Sequence, residues 1–231
     1  MDAIRLEPRP IAWGHGSQLL AVLHGLRALQ GRTEWVVLLS GQDYPVRPIA
    51  EIEARLGGVD AYVQTAPVQP LTWRRGAADE FARRYRMRWR PATARVAKLA
   101  AKADPLVHVR TLPSGTYLGL RAHPPLAPFH GSDWFTLSRR AVDAVLNAPR
   151  PVLDHFLHTI VPTEAYVQTV LANSGLRLHP DNRRYVRFDP GSPNPRMLAL
   201  EDLDAALASG ADFARKIDAP QVLDALDRRL T

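Results

Sequence analysis

Five consecutive apolar residues, Trp35-Val36-Val37-Leu38-Leu39, stop abruptly at Ser40-Gly41. An apolar run of this length, ended by a small-residue turn, is the pattern of a buried parallel strand that finishes in a loop. Upstream, Leu19, Leu20, Val22, Leu23, Leu26 and Leu29 recur at helical spacing, which predicts an amphipathic helix over Ser17 to Leu29 with Ser17 as its N-cap. Downstream, a helix over Ile49 to Leu56 and a strand over Ala61 to Gln64 complete a helix-strand-loop-helix-strand alternation. That order predicts an α/β sheet.

Further along, the stretch from Trp73 to Lys102 is basic and aromatic and is predicted helical on either side of Pro91. It reads either as a solvated helix pair whose aromatics pack on the sheet or as a face for a polyanion. Strands are predicted over Tyr117 to Arg121, Asp133 to Leu137 and Tyr185 to Phe188. Helices are predicted over Ser138 to Leu146, over Thr163 to Asn173, over Leu200 to Ala208 and over Gln221 to Leu230. Phe213 sits in a short extended segment. With 231 residues and 46% hydrophobic content, the chain is expected to form a single domain over 1–231.

Cysteine is absent, which excludes disulfide staples, thiolate nucleophiles and zinc sites built on Cys. No run approaches the roughly 20 apolar residues of a membrane span, and the first residues lack the apolar core of a signal peptide. A soluble cytoplasmic protein, free or peripheral at the inner membrane, is the expectation. The net charge of +7 favours anionic partners, although the bias of 27 Arg against 3 Lys resembles the codon usage of a GC-rich genome. No helix-turn-helix or zinc motif accompanies the charge, so specific nucleic-acid binding is the lesser reading.

Four segments are over-specified for packing alone. Leu39-Ser40-Gly41-Gln42-Asp43-Tyr44-Pro45 lies at the carboxyl end of a predicted strand, where open α/β sheets place their ligand crevice. There Asp43 is either a substrate contact or the cap of the turn before Pro45. His130-Gly131-Ser132-Asp133-Trp134-Phe135 delivers a carboxylate and an indole together, and Trp134 reads as a sugar-facing ring or as a core residue. In Val161-Pro162-Thr163-Glu164-Ala165-Tyr166, Thr163 is the predicted N-cap and Glu164 falls in the first helical turn, where the helix dipole favours an ionised carboxylate; Glu164 is a base or a helper of the cap. Phe213-Ala214-Arg215-Lys216 places two cations side by side, one of them among the few lysines.

A carboxylate base, a cationic pair and aromatic platforms are the kit for moving a sugar from a nucleoside diphosphate. The base takes the proton of the acceptor hydroxyl, and the charge growing on the diphosphate is neutralised by cations or a metal. The only Asp-x-Asp, Asp202-Leu203-Asp204, is predicted inside a helix rather than at a strand end, which favours the metal-free branch.

Taken in order, Trp13-Gly14 with Ser17, the Leu39 to Pro45 run, Gly131-Ser132-Asp133-Trp134, Pro162 with Glu164 and Gln168-Thr169, Asn173-Ser174, and Phe213-Ala214-Arg215-Lys216 resemble the core-2/I-branching β-1,6-N-acetylglucosaminyltransferases, the peptide O-xylosyltransferases and their bacterial relatives. The resemblance implies a glycosyltransferase A-like, Rossmann-like mixed sheet flanked by helices. It also implies an inverting single displacement without metal or other cofactor, from a UDP-sugar of GlcNAc or xylose type to a glycan or peptide acceptor.

By the same resemblance Glu164 is the catalytic base and Lys216 binds the diphosphate, with Arg215 or Arg196 as its second cation. Asp133 and Trp13 belong to the donor side, and Trp134 and Asp43 to the acceptor side. Family members begin with a strand, a helix and a second strand ending in His-x-Asp that grip the uridine. This sequence starts after those elements, so the expected fold is N-terminally truncated, and a non-catalytic remnant of it is the alternative. Thr163 stands where many relatives have Asp.

Overall fold

The computed structural model describes residues 3–68, 83–89, 107–112, 115–192 and 194–230. Helix α1 (Gly16–Leu29) forms where the leucine spacing predicts it and buries Leu19, Leu23 and Leu26. Its N-cap is His15 rather than Ser17. His15 Nδ1 accepts the Ser17 N–H at 3.2 Å, and Ser17 Oγ turns back to accept the Ala12 N–H at 3.0 Å. Gly16 opens this helix where any Cβ would run into the Leu157 carbonyl, so the close approach requires glycine.

Strands β1 (Trp35–Val37) and β2 (Asp43–Pro45), helix α2 (Ile49–Ala54), and strands β3 (Ala61–Val63) and β4 (Ala66–Pro67) follow. Next come β5 (Arg83–Trp89), β6 (Val107–Leu112), β7 (Gly115–Arg121), β8 (Phe129–His130) and β9 (Phe135–Ser138). Helix α3 (Arg139–Leu146) is capped by Ser138 Oγ, which accepts the Ala141 N–H at 3.3 Å. Helix α4 (Arg150–Leu157), unpredicted from the sequence, has Pro151 in its first turn and buries Val152 and Phe156, four residues apart on one face. After a 3-10 turn at Pro162–Glu164 come α5 (Tyr166–Ala172), β10 (Leu178–His179) and β11 (Arg184–Val186). A second 3-10 turn at Leu200–Asp202 leads to α6 (Leu203–Ala208), β12 (Phe213–Arg215) and α7 (Pro220–Leu230).

Further expectations are corrected. The apolar run Trp35 to Leu39, expected to be a buried strand, is a strand only over Trp35–Val37 and is half-buried, and Leu39 is exposed, because among the described residues β9 is its one neighbour in the sheet and the other edge is open. The basic stretch predicted helical contains β5, a strand that pairs antiparallel with β7, with a bulge between Tyr85 and Met87. Arg84-Tyr85-Arg86-Met87-Arg88-Trp89 alternates charged and apolar residues with a period of two, the strand signal that the abundance of charge obscured. The rest of Trp73 to Lys102 lies outside the described residues. The helix predicted over Thr163 to Asn173 is broken into the 3-10 turn and α5. Thr163 is buried inside that turn, and its Oγ1 has no hydrogen-bond partner among the described residues, so it caps nothing.

The sheets are mixed. β3 pairs antiparallel with β9 and parallel with β10, in a four-stranded sheet of order β1-β9-β3-β10 with half-buried β1 at its edge. β12 pairs parallel with β11 and antiparallel with β2. No helix among the described residues is long and apolar enough to cross a membrane.

The chain divides into two compact units, each assembled from three stretches. Unit 1 comprises Met1–Val36, Thr65–Asp133 and Ser138–Leu176; unit 2 comprises Val37–Gln64, Trp134–Leu137 and Arg177–Thr231. Within unit 1, α1 packs on α3 and α4, and the buried Tyr166 hydroxyl donates to the Val145 carbonyl at 2.9 Å. Burial pushes that phenol up to about 12. Within unit 2, Ala214 of β12 and Val46 pack with Leu203 and Ala206 of α6 and Val222 and Leu226 of α7, so two helices cover one face of the β11-β12-β2 sheet.

Candidate active site

In unit 1 the turn carrying Glu164 begins with a strained residue. Val161 has φ 49° and ψ 53°, a left-handed conformation that a β-branched side chain rarely adopts and that is rarer still before proline. Outliers of this kind persist only where the surroundings over-determine them. Here the Val161 N–H donates to the Gly14 carbonyl at 2.9 Å, and the Val161 carbonyl accepts the Glu164 N–H at 3.1 Å. The turn holds Glu164 exposed between the buried residues Thr163 and Ala165. The Gly14 bond also ties the segment of Trp13, itself 56% exposed, to this turn.

The loop leading to Asp133 is fastened to the same turn. The Gly131 N–H donates to the Glu164 carbonyl at 2.8 Å. Helix α5 then holds the preceding backbone through its side chains. Asn173 Nδ2 donates to the Ala127 carbonyl at 2.9 Å. Thr169 Oγ1 accepts the Phe129 N–H at 3.0 Å and donates to the Phe129 carbonyl at 3.1 Å. Gln168 Nε2 donates to the Ser132 carbonyl at 2.7 Å. Asn173 and Thr169 therefore hold the approach through Ala127 and Phe129, and Gln168 holds Ser132 in the loop that Gly131 ties to the turn of Glu164.

In unit 2 the first and fourth segments are neighbouring strands. β12 runs antiparallel to β2, with Arg215 opposite Asp43 and Ala214 opposite Tyr44, and the Ile217 N–H continues the contact to the Gln42 carbonyl at 2.9 Å. The Asp43 carboxylate is fully buried. One oxygen accepts the Ser40 N–H at 2.6 Å and the Ser40 hydroxyl, closing the turn, and the other lies 3.6 Å from Arg215 Nε. The Arg215 guanidinium in turn sits over the Trp134 ring, 4.0 Å from its centroid. Asp43, Arg215 and Trp134 thus form one contiguous group. The next residue, Lys216, follows a cis peptide bond, is half-buried, and has no hydrogen bond or ion pair for its ammonium among the described residues.

Arg196, the other candidate cation of unit 2, is drawn elsewhere. It donates to the buried carboxylate of Asp202, which Arg187 also reaches at 2.6 Å and which accepts the Ala199 N–H at 2.9 Å. Burial alone would raise the Asp202 pKa, but the Ala199 N–H, Arg187 and Arg196 outweigh it and hold the carboxyl below its ordinary value. Asp204 is paired with Arg229 at 2.6 Å. Both carboxylates of the Asp-x-Asp are therefore engaged by arginines, and no group of three or more His, Cys, Asp or Glu suited to a metal occurs among the described residues.

Arg184 was missed by the sequence reading. It is 9% exposed, stacks over Phe213 at 4.6 Å and donates to the Leu38 carbonyl at 3.2 Å. Burial lowers its pKa to about 10, Asp43 opposes that shift, and the guanidinium stays charged at neutral pH. Unit 2 therefore places a second buried arginine in the electrostatic reach of Asp43. Its sequence signal was the Arg183-Arg184 doublet entering a strand, masked by the general abundance of arginine.

A family model described as core-2/I-branching enzyme matches residues 3–209. Two curated relatives from Arabidopsis thaliana, beta-glucuronosyltransferases GlcAT14B and GlcAT14A, are each 34% identical, over 113 and 112 residues. Each match covers 44% of this chain and 26% or 25% of the relative, so the chain spans about a quarter of the length of the relatives it matches.

Proposed function

Because this chain belongs to the core-2/I-branching enzyme family, whose fold is glycosyltransferase A-like, we propose that it is an inverting glycosyltransferase that uses a UDP-sugar and Glu164 as its base. The observation that carries the assignment is the setting of Glu164: an exposed carboxylate on a turn fixed by the strained Val161 and by backbone bonds to Gly14 and Gly131. A base must be held in place yet reach the acceptor, and a short turn gripped from both sides meets both conditions.

In this reaction the Glu164 carboxylate takes the proton of the acceptor hydroxyl as that oxygen bonds to the anomeric carbon. The bond from that carbon to the diphosphate breaks, and UDP leaves with inversion. Lys216, whose ammonium is uncommitted among the described residues, neutralises the charge gathering on the diphosphate. No metal is required on this reading, consistent with the engagement of Asp202 and Asp204 by arginines. Asp133 and Trp13 serve the donor side and Trp134 the acceptor side. Asp43, buried in its turn, acts there by holding Arg215.

The donor carries a GlcNAc or xylose group, or a glucuronosyl group as the names of the two plant relatives favour. Transfer assays with the three UDP-sugars in EDTA separate these choices. Glu164→Gln keeps the size and removes the base. It is expected to lower kcat by roughly 10²- to 10⁴-fold with UDP affinity unchanged. Full turnover by the variant would remove Glu164 from the mechanism.

A further inference from the structure

Helix α5 is buried from Tyr166 to Leu171, and two of those residues, Gln168 and Thr169, are polar. Gln168 is 0% exposed among Tyr166, Val167, Val170 and Leu171, all buried. Its Nε2 donates at 2.7 Å to the Ser132 carbonyl, while its Oε1 has no hydrogen-bond partner among the described residues. A core position that needed only volume would be filled at lower cost by Leu or Met, because a buried amide oxygen without a partner is unfavourable. The retained feature is the N–H donor, and its acceptor is the backbone one residue before Asp133.

The other bonds from α5 make the location informative. Asn173 and Thr169 hold Ala127 and Phe129, and Gln168 is the last contact before the chain reaches Asp133. One residue earlier, Gly131 is bonded to the carbonyl of Glu164. Gly131 and Ser132 are therefore pinned from two directions, by the backbone of the catalytic turn and by the helix that follows that turn. Thr169 and Asn173 dock the strand β8 and its approach; Gln168 alone among the three reaches the Gly131-Ser132-Asp133 loop.

We infer that Gln168 is a positioning residue for the transfer reaction, whose buried amide fixes the Ser132 carbonyl and so sets Asp133 with respect to Glu164. This inference rests on the reading of Glu164 as the base.

The test compares Gln168→Met, which keeps the volume and loses the donor, with Thr169→Val, which removes the bonds to Phe129. The Met variant is expected to lose roughly ten- to a hundredfold in kcat, because small misplacements at a reacting centre have effects of that size. Its UDP affinity should be unchanged, and Thr169→Val should lose comparable thermal stability with far less kcat. In Gln168→Glu a buried carboxyl titrates above its usual range, and only its protonated form can donate to the carbonyl. Its activity relative to the native chain should therefore rise as pH falls.

Amide hydrogen exchange gives a readout independent of turnover: Gln168→Met should speed exchange at Gly131 and Asp133, and Thr169→Val at Phe129. If exchange at Gly131 and Asp133 is unaltered, or if kcat falls equally in Gln168→Met and Thr169→Val, Gln168 is a core residue and the inference is wrong. Native protein that neither binds UDP nor transfers sugar overturns the assigned reaction instead, and the exchange pattern still decides whether the amide fixes the loop.

Discussion

The guanidinium carbon of Arg215 lies 4.0 Å from the centroid of the Trp134 ring, while its Nε faces the buried carboxylate of Asp43 at 3.6 Å. Both side chains beside Trp134 are thus largely removed from water, the condition under which a cation over an indole gains most. Arg215 is engaged by the ring and the carboxylate, whereas the ammonium of Lys216 has no hydrogen bond or ion pair among the described residues.

A double-mutant cycle measures the first part. Arg215→Ala and Trp134→Ala, singly and together, should show a coupling of about 1 kcal/mol in urea unfolding, rising to about 2 kcal/mol if the pair is well desolvated. Arg215→Lys should keep the charge and lose most of the coupling, since an ammonium lacks the planar face. Additive effects would show that the stacking contributes nothing.

Lys216 and Arg196 should separate in a titration with UDP in the presence of EDTA. Losing one charge-assisted contact to the diphosphate corresponds to a roughly ten- to hundredfold weaker Kd for Lys216→Ala. Arg196→Ala should leave UDP affinity intact and lower stability, because it strips a partner from the buried Asp202. The reverse pattern would make Arg196 the diphosphate ligand.

Two glycines of α1 should respond with opposite signs to the same change. Gly25→Ala meets nothing within 4 Å, so helix propensity decides and stability should rise by about 0.5–1 kcal/mol. Gly16→Ala gains the same propensity but drives a Cβ into the Leu157 carbonyl, a backbone atom that cannot turn aside. Overpacking of about 1–3 kcal/mol outweighs the gain, and stability should fall. Thermal unfolding of the two variants checks both signs.

Asp202 should make the fold acid-sensitive. Its folded pKa is depressed, so its contribution is complete above the unfolded carboxyl value of about 3.9 and disappears as pH falls through the lower folded value. The stability difference between the native chain and Asp202→Asn should therefore be constant from pH 7 to about 5 and shrink below pH 4. A difference that does not change with pH would mean that the arginines do not hold the charge.

The sequence by itself determined the mixed α/β class and the family resemblance. These are local signals: leucines at helical spacing in α1, the alternation of helices and strands, and short motifs in a fixed order; the apolar run Trp35 to Leu39 marked a strand but not its half-buried place at the sheet edge. It missed α4, a two-turn helix whose start is flanked by Pro149 and Pro151, and it misread β5, where the density of arginine hid an alternation visible in the same residues. What only the tertiary structure decided is what each polar side chain does once its neighbours are known. Gln168 meets Ser132 across 36 positions and Arg196 is taken by Asp202 in another turn. Arg215 meets Trp134 across the 81 positions that separate them in the chain. Hydrogen bonds and ion pairs fix a group through distance and direction in space, and composition or periodicity along the chain carries neither.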